Sequence, residues 1–131
     1  MLMKAAAGRA LHVLVVDDHV DGAEALAVAL QLDGHEVFVA RDGEGAMRRC
    51  EERPPDLVLL DIALAGADSG FDVARRLRRH SCMSAACLVA VTGLGTLDDR
   101  RRAWEAGFHF FLLKPVDPRE LRELARAIAD T

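Results

Sequence analysis

Five short apolar runs, each followed by a stretch of helical period, limit what this 131-residue chain can fold into. The runs are residues 11–16, 37–40, 57–60, 87–91 and 108–113. A short unbroken apolar run between turn residues reads as a strand buried on both faces, which is the signature of a parallel sheet. Between the runs, Ala23, Leu26, Ala27 and Leu30 recur at helical spacing, as do Ala46, Met47 and Cys50, and Phe71, Ala74 and Leu77 within residues 71–80. Thr96 reads as the N-cap of a helix over Leu97–Ala106 that Gly107 stops, and Asp117-Pro118 opens a last helix with Leu121, Leu124, Ala125 and Ile128 on its apolar face. Strict strand–helix alternation with short connections predicts an α/β fold: a doubly wound (βα)5 parallel sheet with helices on both faces.

The length suits one domain, over residues 11–130, behind a loose tail at residues 1–10. A net charge of −4 argues against direct nucleic-acid binding, which uses a basic patch. No apolar run approaches a membrane span and no secretion signal is visible. Of three cysteines, Cys50 and Cys87 fall in apolar patterns and read as small core residues in a reducing, cytoplasmic setting. Arg75, Arg76, Arg78 and Arg79 read as a solvated helix face, His19 as a solvent-facing residue at a helix start, and Phe108 and Phe110 as core. Trp104 adjoins Ala103, so both cannot point inward; it reads either as a lid on the sheet edge or as an exposed partner-binding aromatic.

Four of the runs end in polar side chains. The first is followed by Asp17 and Asp18, the third by Asp61, the fourth by Thr92 and the fifth by Lys114, which with Lys4 makes up the chain's only two lysines. In a parallel sheet all these strand ends lie on one edge, where open α/β sheets place their ligands. Three carboxylates gathered there repel one another unless a hard dication such as Mg2+ joins them. Phosphoryl transfer suits such a set, because its transition state spreads charge over three equatorial oxygens and catalysis is chiefly positioning and electrostatics. Asp61 would be the in-line nucleophile, with Mg2+, Lys114 and the Thr92 hydroxyl on the three oxygens.

Val15-Val16-Asp17-Asp18, Leu59-Leu60-Asp61, Val91-Thr92-Gly93 and Leu113-Lys114-Pro115 together resemble the response-regulator receiver domain of two-component signalling, over nearly the whole chain. The resemblance implies a flavodoxin-like sheet in the order 2-1-3-4-5. It implies Asp61 as phosphoacceptor, Asp18 and Asp61 as direct Mg2+ ligands with the main-chain carbonyl of Ala63, and Asp17 acting through metal-bound water. Thr92 and Lys114 match the switch hydroxyl and phosphate-binding lysine, and Phe111 the aromatic switch position. The donor would be a sensor histidine kinase or histidine phosphotransfer protein. The output would be a protein target on the face of helix four, strand five and helix five, with homodimer formation left open. Such a domain is a signalling phosphoacceptor that catalyses only its own phosphorylation and dephosphorylation.

Ala65 stands where the family often has proline, Asp68-Ser69-Gly70 carries one extra residue, and Gly93 replaces alanine. Ala63 and Leu94 occupy rate-tuning positions and are apolar, which implies a slowly hydrolysed phosphoryl group. Two rivals stand beside this reading. A haloacid-dehalogenase-like aspartyl phosphatase needs Asp-x-Asp after strand one, whereas Asp17 and Asp18 are adjacent. An unphosphorylated receiver-like docking module has typically lost an acid or the lysine, and this chain retains them.

Overall fold

In a computed structural model, which describes residues 9–64, 69–83, 85–93 and 96–130, the strands are β1 (His12–Val16), β2 (Glu36–Ala40), β3 (Leu57–Asp61), β4 (Cys87–Thr92) and β5 (Phe110–Leu113). The helices are α1 (Val20–Leu32), α2 (Gly43–Glu52), α3 (Gly70–Arg78), α4 (Leu97–Ala106) and α5 (Pro118–Ala129), with a 3-10 turn at Ser81–Met83. The expectations for residues 1–8 and for Ala65, Asp68 and Leu94 fall outside the described residues. All pairings are parallel, in the order β2-β1-β3-β4-β5.

The period-two alternation of each strand divides the core. Val13, Val15, Leu57, Leu59, Val89 and Val91 face a cluster closed by Ala23 and Leu30 of α1 and by Leu121 and Ala125 of α5. Their neighbours Leu14, Val16, Val58, Leu60, Leu88 and Ala90 face Ala46 and Cys50 of α2, Phe71, Ala74 and Leu77 of α3, and Ala103 of α4. Every residue of β1 and β3 is buried, and apart from His12 and Asp61 at their ends both strands are apolar. Each fully buried Leu or Val contributes about 1.5–3 kcal/mol relative to exposure.

Several sequence expectations need correction. The fifth strand begins at Phe110, not Phe108, because the Phe108 N–H donates to the Ala103 carbonyl and closes the end of α4. Gly107, at φ 102°, supplies the left-handed turn this closure needs. Phe108 is therefore core, as expected, but Phe110 is 49% exposed. Ala103 takes the inward position on α4 and leaves Trp104 74% exposed, so it is not a lid. The third helix starts at Gly70 and ends at Arg78, short of His80. Cys50 is fully buried as expected, with Sγ 3.5 Å from Met83 Sδ, but Cys87 is only half-buried.

Arg78 is not part of a solvated face. Its guanidinium donates to the carbonyls of Gly107, Met83 and Ala86, each at 3.2 Å, and lies 2.9 Å from His109 Nδ1. It thereby ties the end of α3 to the segments entering β4 and β5. Burial pushes its pKa below the ordinary guanidinium value.

Candidate functional site

The C-terminal edge of the sheet collects the strand-end residues. Asp17 directly follows β1 and Asp61 ends β3; both are buried. Asp18, Asp17, Asp61 and His19 each present a donor atom within 4.8 Å of the others. Lys114, just past β5, reaches across with Nζ 3.0 Å from Asp17 Oδ2 and 3.2 Å from Asp61 Oδ2. The Lys114–Pro115 peptide is cis. Thr92, at the end of β4, is fully buried, and its carbonyl accepts the Lys114 N–H at 2.8 Å. Ala63 lies in the loop after β3, where its N–H donates to Asp61 Oδ1 at 2.9 Å.

Phe111 stands apart from the acids. It pairs with Ala90, packs half-buried on the α2–α4 side of the core, and carries the Arg100 guanidinium 5.2 Å from its ring centre. The structure thus brings Asp17, Asp18, Asp61 and Lys114 together, sets Thr92 on the neighbouring strand end, and leaves Phe111 one layer away.

Gly70 and Ser69 fix the approach of α3 to this edge. A Cβ at Gly70 would come within 2.3 Å of Ile62 Cα and 2.4 Å of the Asp61 carbonyl, so only glycine lets the helix start this close to the phosphoacceptor candidate. Ser69 caps the helix by accepting from the Asp72 N–H, while Asp72 accepts from the Ser69 N–H. This reciprocal pair is visible in the spacing of Ser69 and Asp72 and was missed because the stretch reads as loop.

Charge shapes the site. Burial alone would push the Asp17 carboxyl up, but the His19 backbone N–H at 2.9 Å and the Lys114 ammonium outweigh it and hold the group below the usual carboxylate range. Burial would likewise lower Lys114, yet its contacts with Asp17 and Asp61 hold it above the ordinary lysine value. A single ammonium leaves two of the three carboxylate charges uncompensated by lysine. An oxygen-rich donor set with that residual charge fits a hard dication. His19 is solvent-facing at the start of α1, as expected, with its side chain 72% exposed, and its Nδ1 also lies 3.3 Å from Asp17 Oδ1 and 3.1 Å from Asp18 Oδ1.

The sequence matches the response regulator receiver domain over residues 13–126. Among curated relatives, it is 35% identical over 116 residues to the phosphate regulon transcriptional regulatory protein PhoB of Pseudomonas aeruginosa, covering 88% of this chain and 50% of PhoB. The chain spans about half the length of the first curated relatives it matches. Among solved structures, the receiver domain of NtrX from Brucella abortus superposes with a TM-score of 0.82 at 30% identity, over 91% of this chain and 98% of that one. The chemotaxis response regulator CheY4 of Vibrio cholerae superposes with a TM-score of 0.83 over 92% and 99% of the two chains; at 22% identity it speaks to the fold alone. The sequence match touches all five strands and every helix and takes in Asp17, Asp18, Asp61, Thr92 and Lys114, and the chain belongs to the response regulator receiver domain family.

Proposed function

We propose that Asp61 is the phosphoacceptor of this receiver domain and that the domain spans residues 11–130. The observation that carries the reading is the bridge from Lys114 Nζ to Asp17 and Asp61, which gathers acids from two strand ends around one ammonium. Asp18, Asp61 and the main-chain carbonyl of Ala63 would hold Mg2+, with Asp17 acting through metal-bound water, and the ion would supply charge neutralisation to the transferring phosphoryl group when bound. An Asp61 carboxylate oxygen attacks phosphorus in line. The O–P bond forms as the N–P bond to the donor histidine breaks, and the imidazole leaves with the electron pair. Lys114, already within reach of Asp61 Oδ2, shifts its hydrogen bond to a phosphoryl oxygen, and the Thr92 hydroxyl turns toward another. Phe111 then moves toward the space Thr92 vacates.

The donor is a sensor histidine kinase or a histidine phosphotransfer protein, in the cytoplasm. The output is a change in the α4–β5–α5 face, where Leu97, Trp104, Phe110 and Leu113 are exposed apolar side chains available to a protein target. The phosphatase alternative draws no support from the comparisons. Among the described residues no helix is long and apolar enough to cross a membrane.

Incubation with acetyl phosphate and Mg2+ tests the assignment by intact mass. One phosphoryl group should be added to the chain and none to Asp61→Asn. Equal labelling of that variant refutes Asp61 as the acceptor, and steady release of phosphate from phosphomonoesters would revive the phosphatase.

A further inference from the structure

We infer that His19 is an additional metal ligand at this edge and that it gives the site affinity for imidazole-favouring dications such as Co2+, Ni2+ and Zn2+ beside Mg2+. The inference rests on the proposed dication site and names a nitrogen donor within it. His19 occupies the N-cap position of α1, where Ser, Thr, Asp or Asn ordinarily satisfies a helix N–H. The histidine makes no side-chain capping bond. Its ring is turned to the acids instead, while its own backbone N–H donates to Asp17 Oδ1 at 2.9 Å and fixes the residue beside them.

The ring nitrogen lies at hydrogen-bond distance from Asp17 and Asp18, and the same spacing serves donors that share one ion. Ligands about 2.1 Å from an octahedral metal stand roughly 3.0 Å apart when adjacent and roughly 4.2 Å apart when opposite. His19 Nδ1 lies 3.1 Å from Asp18 Oδ1, 3.3 Å from Asp17 Oδ1 and 4.0 Å from Asp61 Oδ2. Two of these distances match adjacent ligands and the third an opposite pair. An all-oxygen set suits Mg2+, whereas one imidazole nitrogen shifts preference toward first-row metals later in the Irving–Williams series. The exposed ring face also gives an incoming ion a route to the buried carboxylates.

The test uses the whole chain, Co2+ and Mg2+ at one fixed pH, and three variants: His19→Asn, Asp18→Asn and Asp61→Asn. Calorimetric competition should show the Co2+-to-Mg2+ affinity ratio falling about tenfold in His19→Asn, with Mg2+ affinity little changed. Proton NMR of the Co2+-loaded chain should show hyperfine-shifted imidazole signals that vanish in His19→Asn. Because His19 makes no side-chain cap and Asn is a favoured N-cap, that variant should keep its circular dichroism and melt no lower than the parent chain. An unchanged ratio, or Co2+ bound with no His19-dependent imidazole signal, overturns the inference while leaving the carboxylate site standing. Undiminished Co2+ and Mg2+ binding in both aspartate variants overturns the proposed dication site itself, and the inference with it.

Discussion

The two edges of the sheet handle charge in opposite ways. At the N-terminal edge, charged groups have partners within the chain. Asp56 accepts the His12 N–H at 2.8 Å and pairs with Arg9 at 3.1 Å; Glu36 meets His12 Nδ1 at 3.2 Å and forms an ion pair with Arg53. Arg78 is held there by three carbonyls. At the C-terminal edge, three acids share one ammonium and an exposed imidazole. The first edge is paired as folded, whereas the second keeps an excess of acid, which suits the proposed ion and phosphoryl group. Electrostatic completeness therefore separates scaffold from site within one sheet.

The comparison breaks most readily at Arg78. Arg78→Met removes the guanidinium from three carbonyls, of which that of Met83 keeps a second donor, the Ala86 N–H, and should cost about 2–4 kcal/mol in urea-unfolding free energy, with Asp61 labelling kept in the folded fraction. Arg78→Lys should recover only part of the loss, because an ammonium lacks the planar fork. Next in size is Gly70→Ala, whose methyl must displace backbone at Ile62 and Asp61. It should cost about 1–3 kcal/mol and slow phosphorylation as well, unlike any change at the opposite edge. Asp18→Asn should act in the other direction. In chelator it relieves acid–acid repulsion and should raise stability by about 0.5–1 kcal/mol, and the stabilisation by added Mg2+ should disappear. A lower melting temperature in chelator would make Asp18 part of the scaffold.

The smallest effect is a pH dependence at His109. Burial, reinforced by Arg78, pushes its pKa below the ordinary histidine value, and Nδ1 accepts the Leu88 N–H at 3.0 Å. The unfolded chain thus binds this proton more readily than the folded one. The neutral ring's contribution is fully present above the unfolded pKa, about 6.5, and is lost progressively as pH falls from there toward the lowered folded value. Melting curves between neutral pH and about 5 should flatten in His109→Gln, and an unchanged slope would place the titration elsewhere.

Much of this was legible in the sequence, for local reasons. Strand-end acids are visible because a short apolar run announces its own end, and a parallel sheet puts all such ends on one side. The Asp117, Thr96 and Gly107 helix boundaries followed the same local logic. Arg78 was not legible. In Arg75-Arg76-Leu77-Arg78-Arg79 every arginine has the same chemistry, and only the meeting of α3 with the β4 and β5 entries gives one of them carbonyl partners. Phe110 was misassigned because α4's closing turn runs through Phe108 and shortens the strand, putting Phe110 on the open side. His19 was read as solvent-facing, which it is, but its reach was not legible: a ring can be mostly in water and still direct one nitrogen at buried acids.

The hydrogen bond from the Lys114 N–H to the Thr92 carbonyl has a mechanical consequence. The two side chains proposed to grip a phosphoryl group hang from main-chain units that are clasped to each other. A tug on either loop passes to the other through the peptide skeleton, whatever side chains the loops carry. Replacing Thr92 or Lys114 can thus silence a fingertip while leaving the knuckle joint whole.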